Sequence, residues 1–212
     1  MKKKYLSSLK KQHIPNDIII LCILFYGQQF DSSMLTTSEI NILLKLVNDK
    51  KNNKKSLGYY WKLLYRATRD GWSTNNFHKK IDTYSNTILL VHTEHNNIFG
   101  GFTSLTWNKK YGWQSDKKAF LILIRSSKNY ELQIWNVINT TYTVDMTTQR
   151  IFRFGMGNSI DIRHDCNNNQ RSDVHSVQGS SSTFGIPTAH YLNGDIKRFR
   201  VKEIEVFTNQ TE

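Results

Sequence analysis

From position 87 onward the chain is written in short runs of strand length, with no long helical period between them. Residues 88–91 and 119–124 are continuous apolar runs, the pattern of strands covered on both faces. Residues 131–134 alternate apolar and polar, as do Phe152, Phe154 and Met156 around Arg153 and Gly155. Near the end the phase changes: Phe199 and Val201 share one parity, Ile204 and Val206 the other. One extra residue near Lys202-Glu203, a bulge, would return both pairs to the same face. Asn-, Gly- and Lys-rich turns separate these runs, and parallel pairing would need crossovers of a dozen or more residues. The expected fold is mainly β within the α+β class: an antiparallel two-sheet β-sandwich flanked by a few short helices.

The helices have local signals. Thr36-Thr37-Ser38-Glu39 reads as a capping box, the hydroxyl serving the amide three residues on while the carboxylate reaches back. Ile40, Leu43, Leu44 and Val47 then form a stripe that one side of a helix lays on a core. A second helix is expected from Ser73, as N-cap, to Ile81, with Phe77 and Ile81 on one face. Residues 18–26 form an apolar run behind a basic start. Asn16-Asp17 interrupts the two and no small-x-small cleavage site follows, so the run reads as a packed helix or strand rather than a targeting segment.

At 212 residues, one domain with its own core is expected, without a disulfide or zinc staple. Cys22 and Cys166 form no pattern, which points to a reduced, intracellular protein. No apolar run reaches the ~18 residues of a membrane helix. Lys and Arg exceed Asp and Glu by 29 − 17 = +12. Residues 1–62 alone supply 11 − 4 = +7 of that excess, and much of the rest sits in doublets such as Lys109-Lys110 beside turns. Nucleic-acid or acidic-surface binding would rest on this charge alone, without a recognised motif.

No catalytic constellation assembles. His92-Thr93-Glu94-His95 lacks the HExxH order of a zinc helix, and neither GxSxG nor a phosphate loop occurs. Asp165-x-Asn167-x-Asn169 matches the first ligands of a calcium loop, but Gln170 stands where the turn needs Gly and Ser176 where bidentate Glu belongs. A thiolate at Cys166, polarised by His164 or His175, would be opposed by Asp161 and Asp165. Asn139-Thr140-Thr141 and Asn209-Gln210-Thr211 fit the glycosylation triplet, frequent in a chain this rich in Asn and Thr.

More specific is the series of ordered blocks. Trp61-Lys62-Leu63-Leu64-Tyr65-Arg66-Ala67-Thr68-Arg69-Asp70-Gly71-Trp72-Ser73 comes first, followed by Phe99-Gly100-Gly101-Phe102-Thr103-Ser104. Ala119-Phe120-Leu121, Phe154-Gly155-Met156-Gly157 with Asp161-Ile162, and Ser180-Ser181-Ser182-Thr183-Phe184 come next. Tyr191-Leu192-Asn193-Gly194 and the closing Glu203-Ile204-Glu205-Val206-Phe207 complete the order. Together they resemble the TLDc domain of eukaryotic oxidation-resistance proteins, over residues 32–207.

The resemblance implies a non-catalytic β-sandwich module, in the cytoplasm, linked to oxidative-stress resistance and to binding and regulating the V-ATPase. Its partners would be proteins, with no cofactor and no metal. The domain would span 31–208, between an extension at 1–30 and a tail at 209–212. Asp70-Gly71 suits a tight turn with Gly at positive φ, and Gly100-Gly101 a bulge or close backbone approach. Arg66, Arg69, Asp70, Asp161, Asp165, Glu203 and Glu205 are expected as partner surface or as framework ion pairs. The sequence departs from the family at Ile151-Phe152-Arg153-Phe154, where relatives often begin with Gly-Pro. It also holds no match to the peptidoglycan-binding or GTPase-activating domains some relatives carry upstream, so no function seated there is transferred. The alternatives are a nucleic-acid or acidic-surface binder and a thiol-dependent antioxidant enzyme built on Cys166 and His164.

Overall fold

The computed structural model describes residues 30–50, 61–107, 112–156, 159–175, 183–186 and 191–209. The apolar run at 18–26 with Cys22, Lys109-Lys110, Gly157, Ser180 to Ser182 and Thr211 lie outside the described residues. The strands, numbered in chain order, form two antiparallel six-stranded sheets. The first runs β1 (Lys62–Arg66), β12 (Val201–Thr208), β2 (Thr87–Thr93), β3 (Ile98–Thr103), β5 (Phe120–Arg125), β6 (Gln133–Asn136). The second runs β11 (Arg198–Phe199), β10 (Ser172–Asp173), β9 (Ile160–Ile162), β8 (Phe152–Phe154), β7 (Val144–Asp145), β4 (Trp113–Gln114).

Two apolar layers explain why β2 and β5 read as continuous hydrophobic runs. Leu89, Val91, Phe99, Leu121 and Leu123 face the second sheet, where Val144, Phe152, Phe154, Ile160 and Ile162 meet them. The alternate residues Ile88, Leu90, Ile98, Phe102, Phe120, Ile122 and Phe207 face the other way, under helix α1 (Thr37–Lys50) and the segment before it. Each such side chain, fully buried, stabilises the fold by roughly 1.5–3 kcal/mol. The capping box forms in both directions: Thr36 N donates to Glu39 Oε2 at 2.8 Å, and Glu39 N donates to Thr36 Oγ1 at 3.3 Å. Leu43, Leu44 and Val47 are buried, with Ile40 packed beside them. Glu39 also pairs with Arg125 Nη2 at 2.7 Å, which ties the helix start to the end of β5. Burial opposes ionisation there, but Arg125 and Thr36 outweigh it and hold the carboxyl below its ordinary value.

The phase change in the last strand is a bulge. The register of β12 against β2 shifts between Val201 and Glu203, and Phe199, Val201, Ile204 and Val206 all enter the inter-sheet core. Two strand readings are corrected. Strand β6 begins at Gln133, and Met156 leaves the core: Gly155, at φ 72°, turns the chain outward and Met156 is 46% exposed. Gly100-Gly101 marks close approach; the nearby register shift lies at Ile98/Phe99 instead. A Cβ on Gly101 would stand 2.9 Å from Phe154 Cε2 of the facing sheet. Helix α2 (Ala67–Asp70) and helix α3 (Thr74–Ile81) follow β1, with Ser73 Oγ capping Asn76 N at 3.1 Å.

Candidate functional site

Five of the seven singled-out residues meet at one corner, where β1 turns into α2 beside β12. Glu205 is fully buried and accepts from Arg66 Nε at 2.8 Å, Ser32 Oγ at 2.6 Å, and Ser33 N and Oγ at 2.9 Å each. It clamps the segment before α1 onto the sheet, while Arg66 Nη2 donates to the Asp31 carbonyl at 2.8 Å. Glu203, on the bulge, accepts from Thr68 N at 3.1 Å and from the Thr68 hydroxyl. Asp70 accepts from Arg66 N at 3.0 Å and pairs with Arg69 at 2.7 Å and Lys80 at 3.3 Å. Burial works against ionisation at Asp70, yet Arg69, the Arg66 amide and Lys80 pull the carboxyl down to about 2. Gly71 follows at φ 97°, its carbonyl accepting from the Tyr65 hydroxyl. This corner holds elements together and leaves its carboxylates occupied.

Asp161 belongs to a second cluster, which the register of the second sheet builds. Trp113, Asp145, Arg153, Asp161, Asp173 and Arg198 are successive cross-strand partners, one on each strand. Their strand neighbours Val144, Phe152, Phe154, Ile160, Ile162 and Phe199 face the core, so the row lies on the outer face. Arg153 pairs with Asp145 and stacks 4.5 Å over the Trp113 ring. Asp161 is held by Arg150 Nε at 3.0 Å and Arg163 Nη2 at 2.7 Å. Burial pushes the Asp161 carboxyl up against the pull of these two guanidiniums. Asp145 and Asp161 are buried beneath, while Arg198 is exposed, so the outer face presents mostly guanidinium. Sequence reading found only Asp161 here; the charged position at alternate steps of β7, β8, β9 and β10 was the available signal.

Asp165 joins neither cluster. It sits at φ 55° in a turn cross-linked by its own side chains: Asn168 Nδ2 donates to Asp165 Oδ1 at 2.9 Å and Asn169 Nδ2 to the Asp165 carbonyl at 2.6 Å. Asn169 Oδ1 accepts from Arg171 N at 3.0 Å. Asp165 Oδ1 and Asn169 Oδ1 thus serve the loop's own donors, while Asn167 Oδ1 is buried without a hydrogen-bond partner among the described residues. Cys166 is fully buried, and burial pushes its thiol up to about 12, the charge of Asp165 adding to the shift. His164 Nδ1 accepts from Thr74 N at 3.3 Å instead of facing a thiol. Over α3 lies an open groove of about 630 Å³ between His78, Lys79, Asp82 and Thr148. His78 is already engaged, with Nδ1 2.8 Å from Asp82 Oδ1 and Nε2 3.0 Å from the Arg150 carbonyl. Among the described residues no group of three or more His, Cys, Asp or Glu could hold a metal ion, and no helix is long and apolar enough to cross a membrane.

Comparison with known proteins covers most of the chain. Residues 28–210 match the family profile described as the TLDc domain. A stretch of 110 residues is 24% identical to the MTOR-associated protein MEAK7 of Mus musculus, taking in 52% of this chain and 23% of that protein. The chain therefore spans less than a quarter of the length of the curated relative it matches.

Proposed function

The chain belongs to the TLDc domain family, and from that premise we propose that it is a non-catalytic interaction module that binds and regulates the V-ATPase and contributes to oxidative-stress resistance. The observation that carries this reading is the outer face of the second sheet. Its guanidiniums are held over buried carboxylates by ion pairs, an ordered surface that loses little freedom when a partner docks. The protein acts in the cytoplasm, as a module over 31–208 with flanking segments at 1–30 and 209–212.

The enzymatic alternative asks Cys166 to act as a thiolate, and a thiol pushed up to about 12 stays protonated near neutral pH. Capture from a eukaryotic lysate on a tagged copy tests the proposal, with the retained subunits identified. Peripheral V-ATPase subunits are expected in the eluate at mild salt; their absence overturns the reading. The same eluate is probed for MTOR, the association for which the mouse relative is named. Survival of cells under peroxide, with and without the chain, reads the stress arm.

A further inference from the structure

The chain has nine arginines, all among the described residues. Six are in ion pairs or carboxylate bonds: Arg66, Arg69, Arg125, Arg150, Arg153 and Arg163. The other three, Arg171, Arg198 and Arg200, are exposed. Among the described residues none of their guanidiniums makes a salt bridge or donates a hydrogen bond. All three lie on one edge of the second sheet. Arg198 is on β11, cross-strand to Asp173; Arg171 precedes β10 and Arg200 follows β11, one step along the same register.

Past the ends of β7 and β8, beyond the far end of the row, lies an exposed apolar cluster. Of the exposed large hydrophobic residues, Ile138, Tyr142 and Met156 gather around Thr183: the Thr183 carbonyl accepts from Ile138 N at 2.8 Å, and its hydroxyl meets Met156 N at 3.0 Å and the Tyr142 carbonyl at 3.4 Å. The Tyr142 ring packs edge-on against Trp113 at 6.0 Å, where the charged row begins. Tyr142 and Met156 continue β7 and β8, three residues off the charged row and four and three strand spacings from β11, a span of roughly 20 Å from Arg198 that about six extended residues cover.

We infer that this face receives an extended segment of a protein partner, with carboxylates over Arg171, Arg198 and Arg200 and an apolar side chain at the Ile138–Met156 end. The arginine fork matches a carboxylate bidentately. Asp173 and Glu94 divide the arginines into separate forks, which suits carboxylates spaced along a peptide better than the evenly repeated charge of a phosphate backbone; Glu94 accepts from Arg200 N at 2.9 Å. The inference deepens the interaction reading above and rests on it for the identity of the partner, while the surface itself is read separately.

The test uses the full chain and a fluorescein-labelled synthetic peptide carrying a Leu, a Gly/Ser spacer and a run of Glu. A Gln-for-Glu peptide, oligothymidylate and phosphatidylserine vesicles serve as competitors at one ionic strength. Replacing Arg171, Arg198 and Arg200 together by Gln should weaken the Glu peptide about tenfold, since exposed pairs are each worth a fraction of a kcal/mol. Ile138→Ser with Met156→Ser should weaken it severalfold, with thermal unfolding of both variants near wild type. Unchanged peptide affinity in the Gln variant, or tighter binding of oligothymidylate or vesicles than of the peptide, overturns the inference. Lysate capture separates the two proposals. V-ATPase subunits retained equally by wild type and the Gln variant defeat the surface and leave the function standing. Peptide binding lost in the variant, beside an eluate without those subunits, defeats the function and leaves the surface.

Discussion

Glu205→Ala removes the acceptor on which four donors converge. Arg66 Nε, Ser32 Oγ, Ser33 N and Ser33 Oγ all reach a carboxylate with no solvent exposure, at 2.6 to 2.9 Å. Removing one partner of a buried, hydrogen-bonded charge pair costs about 3–5 kcal/mol, because the remaining charge and donors stay desolvated. For a chain of this size each kcal/mol moves Tm by roughly 2–4 °C, so a loss of about 10 °C is expected. Glu205→Gln keeps the shape and one acceptor, and should cost about 1.5–3 kcal/mol. A double-mutant cycle with Arg66→Ala should be non-additive, the pair together costing less than the two single losses summed. Urea unfolding gives the energies, and hydrogen exchange at residues 32–36 reports whether the segment before α1 has loosened. A loss under about 1 kcal/mol for Glu205→Ala, the level of an exposed surface pair, would refute the reasoning.

Gly101→Ala places a methyl 2.9 Å from Phe154 Cε2 and 3.1 Å from Leu121 Cδ2. It should cost about 1–3 kcal/mol by overpacking, read as a lower urea midpoint; an unchanged midpoint contradicts the close-approach role. Asp70, depressed from 3.8 to about 2 in the folded chain, contributes stability that is fully present above 3.8 and lost as pH falls through about 2. That contribution is at most about 2 kcal/mol. Asp70→Asn should flatten the acid limb of the stability curve there, and a limb of wild-type steepness would count against the pairing. Cys166 in the native chain should react with a disulfide reagent at neutral pH only as fast as the chain opens; stoichiometric titration within seconds would show an accessible thiolate.

Features whose signal is local were legible in the sequence. The Thr36–Glu39 capping box and the Ser73 cap are set by neighbours three residues apart, and both form as read. The bulge at Lys202-Glu203 was legible because a one-residue phase change in a half-buried strand has few other resolutions. The continuous runs in β2 and β5 announced burial on both faces, but not that the segment from Phe30 and helix α1 would cover the outer one. Arg66 and Glu205 were both singled out, but not as partners of each other, since 139 residues separate them. Of the row from Trp113 to Arg198 only the charged positions at alternate strand steps were legible; the row itself exists only once six strands take their register. Most of its residues are separated in sequence by turns whose lengths set that register. At the half-matched calcium triplet the spacing said less than the missing Gly and Glu: the turn folds the Asn168 and Asn169 amide nitrogens inward onto Asp165 and His164.

The central claim is direct partner binding by this chain, and purified components test it without a lysate. The full chain is mixed with the isolated peripheral sector of a eukaryotic V-ATPase, co-sedimentation is measured at physiological salt, and the ATPase rate is recorded before and after addition. The account predicts saturable co-sedimentation together with a changed ATPase rate. A chain that stays in the supernatant at every sector concentration, with the rate unaltered, would contradict it.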